Sequence, residues 1–235
     1  MKVVQSLLGF FYPNKCILCQ KLLTSLEEEQ YICTRCDEKL ISETRPLKHL
    51  YQQNTERQDD ETIVQTDTPA EIIALFPYES EYRKAILRWK YQGVRKYAKG
   101  FAKLLAEEID FSVYEEAIFI PIPLAPSRKR KRGYNQALDL ANEISKLTHI
   151  LVVDCLMRHK DTKPQSQCSR EERMRNIKNT MSIKKYIGDE PKSIILIDDI
   201  YTTGSTIKEA IQIINMQYAF RDAKIYVMVV GKGEL

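Results

Sequence analysis

The chain has 235 residues, 43% of them hydrophobic and 29% charged, with a formal net charge of +4 at pH 7. That length admits one full α/β domain and a small appendage. No apolar run reaches the roughly 18 to 20 residues of a membrane span, and so small a net charge specifies no polyanionic partner unless the basic residues cluster.

The first eleven residues, Met1 to Phe11, lack a signal-peptide cleavage site, which predicts a cytoplasmic protein. Next come two CxxC knuckles, Cys16-Ile17-Leu18-Cys19 and Cys33-Thr34-Arg35-Cys36. Each can place two thiolates on one tetrahedral centre, and a module this small has too little core to fold without such a staple, so the spacing predicts a structural four-cysteine Zn2+ site. A redox-active pair is the rival reading, but that chemistry uses one CxxC in a βαβ context. Most four-cysteine knuckles are structural, and only some also present a nucleic-acid or protein surface. Residues 51–70 are poor in apolar side chains and rich in Gln, Asp and Thr, the composition of a linker or long exposed loop. The expected division is therefore a zinc-finger module over residues 1–50, a linker over 51–70 and the main domain over 71–235.

Ile72 to Tyr78 reads as a strand, and Tyr82, Ala85, Ile86 and Trp89 recur at helical spacing. A second helix carries Phe101, Leu104, Leu105 and Ile109, with Gly93 and Gly100 breaking the path between the two. These aromatics suit a core better than a base-stacking surface. Ala117-Ile118-Phe119-Ile120 reads as the first strand of the main sheet, and Pro121, Pro123 and Pro126 then force an extended loop. The adjacent Arg128, Lys129, Arg130, Lys131 and Arg132 repel one another unless an anion lies between them. They precede a helix bearing Ala137, Ala141, Ile144 and Leu147, so they fall on the ligand edge of the sheet as a basic loop for polyphosphate or nucleic acid.

Residues 150–153 supply another strand. The basic stretch around Arg158, His159, Lys160, Arg170, Arg173, Arg175 and Lys178 is a candidate for a mobile loop closing over a phosphate-rich ligand. His159 reads as a surface histidine, and Cys155 and Cys168 as unpaired thiols of a reducing compartment.

The most informative run is Ile194-Ile195-Leu196-Ile197-Asp198-Asp199-Ile200-Tyr201-Thr202-Thr203-Gly204-Ser205-Thr206. Its apolar start is that of a strand covered on both faces, and Ile207, Ala210, Ile211 and Ile214 then form an amphipathic helix. The intervening loop sits at a helix N-terminus, where free N–H groups and hydroxyls suit a phosphate. Asp198 and Asp199 suit vicinal sugar hydroxyls and a hydrated Mg2+. Residues 224–230 give the last strand. The expected fold is α/β, a doubly wound, mostly parallel sheet with its site at strand C-termini.

The acid pair followed by Thr-Gly-Ser-Thr resembles the phosphoribosyl-pyrophosphate (PRPP) motif of type I phosphoribosyltransferases. That resemblance implies their fold, ribose hydroxyls on Asp198 and Asp199, and the 5′-phosphate cradled by Thr202, Thr203, Gly204, Ser205 and Thr206. With the double CxxC, Pro121-Ile122-Pro123-Leu124, Arg132-Gly133-Tyr134-Asn135-Gln136 and the Gln165, Arg173, Asn176 stretch, nearly the whole chain is similar to the ComF family of late-competence proteins. This implies transport of transforming single-stranded DNA with an ATP-driven translocase, at the inner face of the membrane where that partner recruits it. The loop from Pro121 to Arg132 would take the place of the pyrophosphate loop. One departure is Met181, where relatives commonly carry an aromatic. The implied function is competence through PRPP and single-stranded DNA binding; the alternative is an active Mg2+-dependent phosphoribosyltransferase of nucleotide salvage. A scaffold with a vestigial PRPP site is the third reading.

Overall fold

In a computed structural model that describes residues 14–25, 27, 29–43, 47–49, 71–160 and 180–233, the apolar runs pair as eight strands. They are β1 (Leu47–His49), β2 (Glu71–Pro77), β3 (Ala117–Pro121), β4 (Leu151–Val152), β5 (Leu156–Arg158), β6 (Met181–Ile183), β7 (Ser193–Tyr201) and β8 (Lys224–Lys232). Six form one sheet in the order β1-β2-β8-β7-β3-β4, while β5 and β6 make a separate antiparallel pair. Only β1 runs antiparallel within the large sheet; the other neighbours are parallel. The central β7 and β8 are buried along most of their length, as their continuous apolar runs require of strands covered on both faces.

Side chains alternate along each strand, so the sheet feeds two cores. Ile73, Leu75, Phe119, Ile195, Ile197, Met228 and Val230 face one way, against α2 (Ser80–Tyr91), α3 (Lys96–Glu108) and α5 (Gln136–Thr148). Ile72, Ala74, Ile118, Ile120, Ile194, Leu196, Val227 and Val229 face the other, against α6 (Ser205–Ile214) and the β5–β6 pair. The expected stripe of α6 is buried at Ile207, Ala210, Ile211 and Ile214. Each large apolar side chain so buried stabilises the fold by about 1.5–3 kcal/mol. Trp89 is fully buried against Phe101, with ring centroids 5.3 Å apart, and Tyr82 is 6% exposed, so these aromatics of α2 and α3 belong to the core as expected. Met181 is 5% exposed in the second core, where its flexible thioether takes the hydrophobic contact an aromatic would make.

Several expectations need correction. The sheet does not begin at residue 117: β2 pairs with the last strand, β8, a long-range neighbour no local pattern reveals. Gly100 does not break the path but lies inside α3, where a Cβ would stand 2.6 Å from Ile17 Cδ1 and 2.9 Å from Tyr31 Cβ. The basic run is not a loop. Pro126 supplies the first helical turn of α4 (Pro126–Arg132), which ends at Gly133 with φ of +77°. Leu147 is exposed, and Leu140 takes the core position of α5 instead.

The first knuckle is a tight hairpin closed by Lys15 and Leu22, and the second opens α1 (Thr34–Glu43). Glu27 joins them: its carboxylate accepts from the backbone N–H groups of Thr24 and Thr34 at 2.8 and 2.7 Å and from both hydroxyls. Those hydrogen bonds, the Thr24 N–H first, hold its carboxyl down at about 2. The module docks on α2 and α3 through Arg88, which donates to the carbonyls of Ile17 and Leu18 at 3.2 and 2.6 Å. Cys16, Ile17, Leu18, Ile32, Cys33 and Cys36 thereby join the first core. The expected linker over residues 51–70 lies outside the described residues, as do Met1 to Phe11, Cys168 and the Gln165, Arg173, Asn176 stretch.

Candidate functional site

A cavity of about 250 Å3 opens at the C-terminal ends of β2, β3 and β7, lined by Tyr78, Lys90, Ile122 to Ala125, Arg128, Arg132, Arg158, Asp198 to Ile200, Thr202 and Thr206. In parallel sheets this is the end at which ligands bind. A larger hollow of about 740 Å3 lies at the other end, beside Glu116, which precedes β3, and Ile118 near the start of that strand.

The alternation of β7 decides what each acid meets. Asp199 follows Ile195 and Ile197 towards α2. Its carboxylate pairs with Lys90 Nζ at 2.7 Å and with Arg132 Nη1 at 3.7 Å. Asp198 follows Ile194 and Leu196 to the other face. Its Oδ1 accepts the Asp199 N–H at 2.7 Å. Burial first, then the charge of Asp199, pushes the Asp198 carboxyl up to about 7 against the opposing pull of that N–H, Lys90 and Arg158. Four cations against two acids leave the cavity suited to a ligand with several phosphate charges.

After β7 the chain turns through Thr202 and Thr203, both exposed, to Gly204, which caps α6 with φ of +69°. Only glycine suits that turn: a Cβ there would lie 2.8 Å from Cζ of the buried Tyr201 ring. Thr203 and Ser205 exchange a hydroxyl hydrogen bond at 3.2 Å. Thr202 and Thr206 line the cavity, whereas Thr203, Gly204 and Ser205 form the turn beside it.

The Arg-Gly-Tyr-Asn-Gln segment is explained residue by residue. The Arg132 side chain is 6% exposed, paired with Asp199 and donating to Gln136 Oε1 at 3.1 Å. Gly133 ends α4. The Tyr134 hydroxyl donates to the Trp89 carbonyl. Asn135 caps α5 by accepting from the Ala137 N–H at 3.2 Å, and its amide donates to Ile122 O at 3.0 Å. The five basic residues thus divide. Arg128 and Arg132 line the cavity, Lys131 lies on its far side near Tyr91, and Lys129 and Arg130 are exposed and line neither hollow.

Lys90 and Tyr78 carry no sequence signal as site residues, because each enters only through the packing of its element. Arg158 belongs to β5 rather than to a loop. The ends of the basic segment are zipped by the β5–β6 ladder, Arg158 opposite Met181. His159 is exposed, its Nε2 within 2.5 Å of Ser182 Oγ. Glu209 of α6 anchors the return of that segment, accepting from the N–H groups of Thr180 and Met181 at 2.9 and 3.0 Å and from the Thr180 hydroxyl at 2.6 Å.

The second cluster is Cys16, Cys19, Cys33 and Cys36, whose four sulfurs all lie within 4.8 Å of one another. Cys19 and Cys33 are 3.6 Å apart, close to the roughly 3.8 Å between thiolates on a tetrahedral ion with Zn–S bonds of about 2.3 Å. Without a cation, burial pushes the Cys16 and Cys36 thiols up, and the charge of Cys16 adds to the shift at Cys36. A divalent ion would relieve that cost, so the four residues fit a metal. Cys155 is a buried free thiol, pushed up to about 11 by burial.

No family model matches the chain. It is similar to Competence protein ComFC of Streptococcus pneumoniae, 29% identical over 233 residues that cover 92% of this chain and 99% of that protein. Competence protein F of Haemophilus influenzae is 38% identical over 96 residues, 40% of this chain and 42% of that one. Among solved structures, adenine phosphoribosyltransferase from Leishmania tarentolae aligns with a TM-score of 0.33 at 13% identity, covering 61% of this chain and 74% of that chain.

Proposed function

We propose that this chain, a relative of the ComF-family competence proteins, serves DNA uptake by binding PRPP or a related ribose phosphate beside a single-stranded DNA path. The observation that carries this reading is the meeting, in one cavity at strand C-termini, of Asp198 and Asp199 with Lys90, Arg128, Arg132 and Arg158. The acids accept the ribose hydroxyls and would help hold a hydrated Mg2+, while the Thr202 to Thr206 turn takes the 5′-phosphate at the α6 N-terminus. Mg2+ supplies charge neutralisation of the pyrophosphate. Lys129, Arg130 and Lys131 are exposed on α4, outside the cavity that Arg128 lines, and contact phosphates of a strand, which an ATP-driven translocase of the uptake machinery moves past. The four-cysteine site holds a structural Zn2+. No helix among the described residues is long and apolar enough to cross a membrane; we place the protein in the cytoplasm, at the inner membrane face where the translocase recruits it.

Replacing Lys129 and Arg130 with Ala tests the DNA role. Every phosphate that is no longer neutralised lowers the slope of log K against log salt by about 0.7 for single strands, so oligonucleotide binding should weaken and become less dependent on salt. An unchanged slope removes α4 from the DNA path.

The same cations would stabilise a departing pyrophosphate, which favours phosphoribosyl transfer as the second reading. Pyrophosphate release from PRPP and Mg2+ with a panel of bases separates the two, since turnover with one acceptor makes the chain an enzyme.

A further inference from the structure

Beside the sugar-phosphate cavity lies a second hollow of about 300 Å3, lined by Lys90, Tyr91, Gln92, Gly93, Lys131 and Arg132. Lys90 and Arg132 belong to both, so the two adjoin across these side chains. Tyr91 ends α2, whose other aromatics, Tyr82 and Trp89, are 6% and 0% exposed, yet Tyr91 is 59% exposed. Its ring is not idle. The Arg132 guanidinium lies 5.0 Å and Lys131 Nζ 5.9 Å from the ring centroid, and Arg132 Nη2 is 3.5 Å from the Tyr91 hydroxyl. The buried Arg132 side chain is fixed from its other end by Asp199 and Gln136. Arg221 makes a similar exposed pair with Tyr218, 4.8 Å from its ring centroid, but that pair lines neither hollow, whereas Tyr91 lines one that shares Lys90 and Arg132 with the cavity.

We infer that Tyr91, Lys131 and Arg132 form a nucleobase-stacking subsite contiguous with the ribose-phosphate cavity. An exposed π-face takes a base of any sequence, and the flanking cations take the phosphate that accompanies it. The ligand is a nucleotide, either one unit of a single strand or a free mononucleotide. The subsite rests on the sugar-phosphate reading of the neighbouring cavity, and it names where the base lies when the ribose phosphate held there belongs to a nucleotide.

The test uses the full-length metal-loaded protein with two probes, an oligodeoxythymidylate carrying one 5-iodouracil and free 5-iodo-dUMP. Irradiation should cross-link the iodinated base to residue 91, read by peptide mass. The oligonucleotide arm alone reacting assigns the subsite to a strand, and the mononucleotide arm reacting assigns it to a free nucleotide. Tyr91→Ala should weaken binding of the reactive probe roughly 5- to 150-fold, the loss of one stacked base, while the salt slope stays at the wild-type value. Tyr91→Phe should bind as wild type. Cross-linking elsewhere, unchanged affinity in Tyr91→Ala, or wild-type protein that binds neither probe overturns the subsite. A PRPP-induced thermal shift of the wild type reads the neighbouring cavity separately, so the two failures are distinguishable.

Discussion

At Asp198 and Asp199 two adjacent carboxylates are made different by a strand's alternation. Asp199 is turned into the ion pairs of Lys90 and Arg132, while Asp198 accepts a backbone N–H and titrates near 7. The unfolded chain releases this proton near pH 4 and the folded chain near pH 7. Between those values the folded state binds more protons, so the Asp198 contribution to stability falls as pH rises through the window and is constant above it. Asp198→Asn should therefore raise Tm at pH 8 by more than at pH 4. Under the proposed function ligand binding runs in the opposite direction, because accepting ribose hydroxyls and holding a hydrated Mg2+ would need the carboxylate. PRPP affinity of the wild type should rise roughly tenfold from pH 6 to pH 8, following the ionised fraction of a group titrating near 7. Flat affinity over that range would remove Asp198 from the contact.

At the scale of elements, Glu209 links α6 to the basic segment. It sits on the helix that opens at Gly204, and its carboxylate receives three donors from Thr180 and Met181, where that segment returns. Glu209→Ala leaves these buried donors unpaired and should lower unfolding free energy by about 1–3 kcal/mol in urea titrations. Glu209→Gln keeps an acceptor and should lose less. Such ties explain what the sequence can and cannot say. Strand β7, the acid pair, the hydroxyl turn and α6 are legible because their signals are consecutive: an apolar run, a glycine at a left-handed turn and a helical stripe. Lys90, Tyr91, Arg158 and Glu209 are not, since each acquires its role from a partner brought by tertiary packing. The helical form of α4 is hidden for another reason. Five like charges argue for a loop, but Pro126 at its start, Gly133 at its end and the Arg132–Asp199 pair outweigh their repulsion.

For the whole molecule, the four-cysteine cluster shares one core with α2, α3 and the sheet, so metal loss should be felt beyond the knuckles. The single tryptophan reports it: Trp89 is fully buried one residue from Arg88, which grips the carbonyls of Ile17 and Leu18. Chelation should shift Trp89 emission to the red and lower Tm. A loss of about 3 kcal/mol corresponds to roughly 6–12 °C for a domain of this size. Emission unchanged by full metal removal would mean the two parts are stabilised independently.

The central claim is that the cavity at the end of β7 holds a ribose phosphate, and calorimetric titration with PRPP and Mg2+ at pH 8 tests it most directly. The account predicts saturable binding of one PRPP per chain, abolished in a folded Asp198→Asn/Asp199→Asn double variant. No heat of binding to the wild type, or undiminished binding by the double variant, would contradict it.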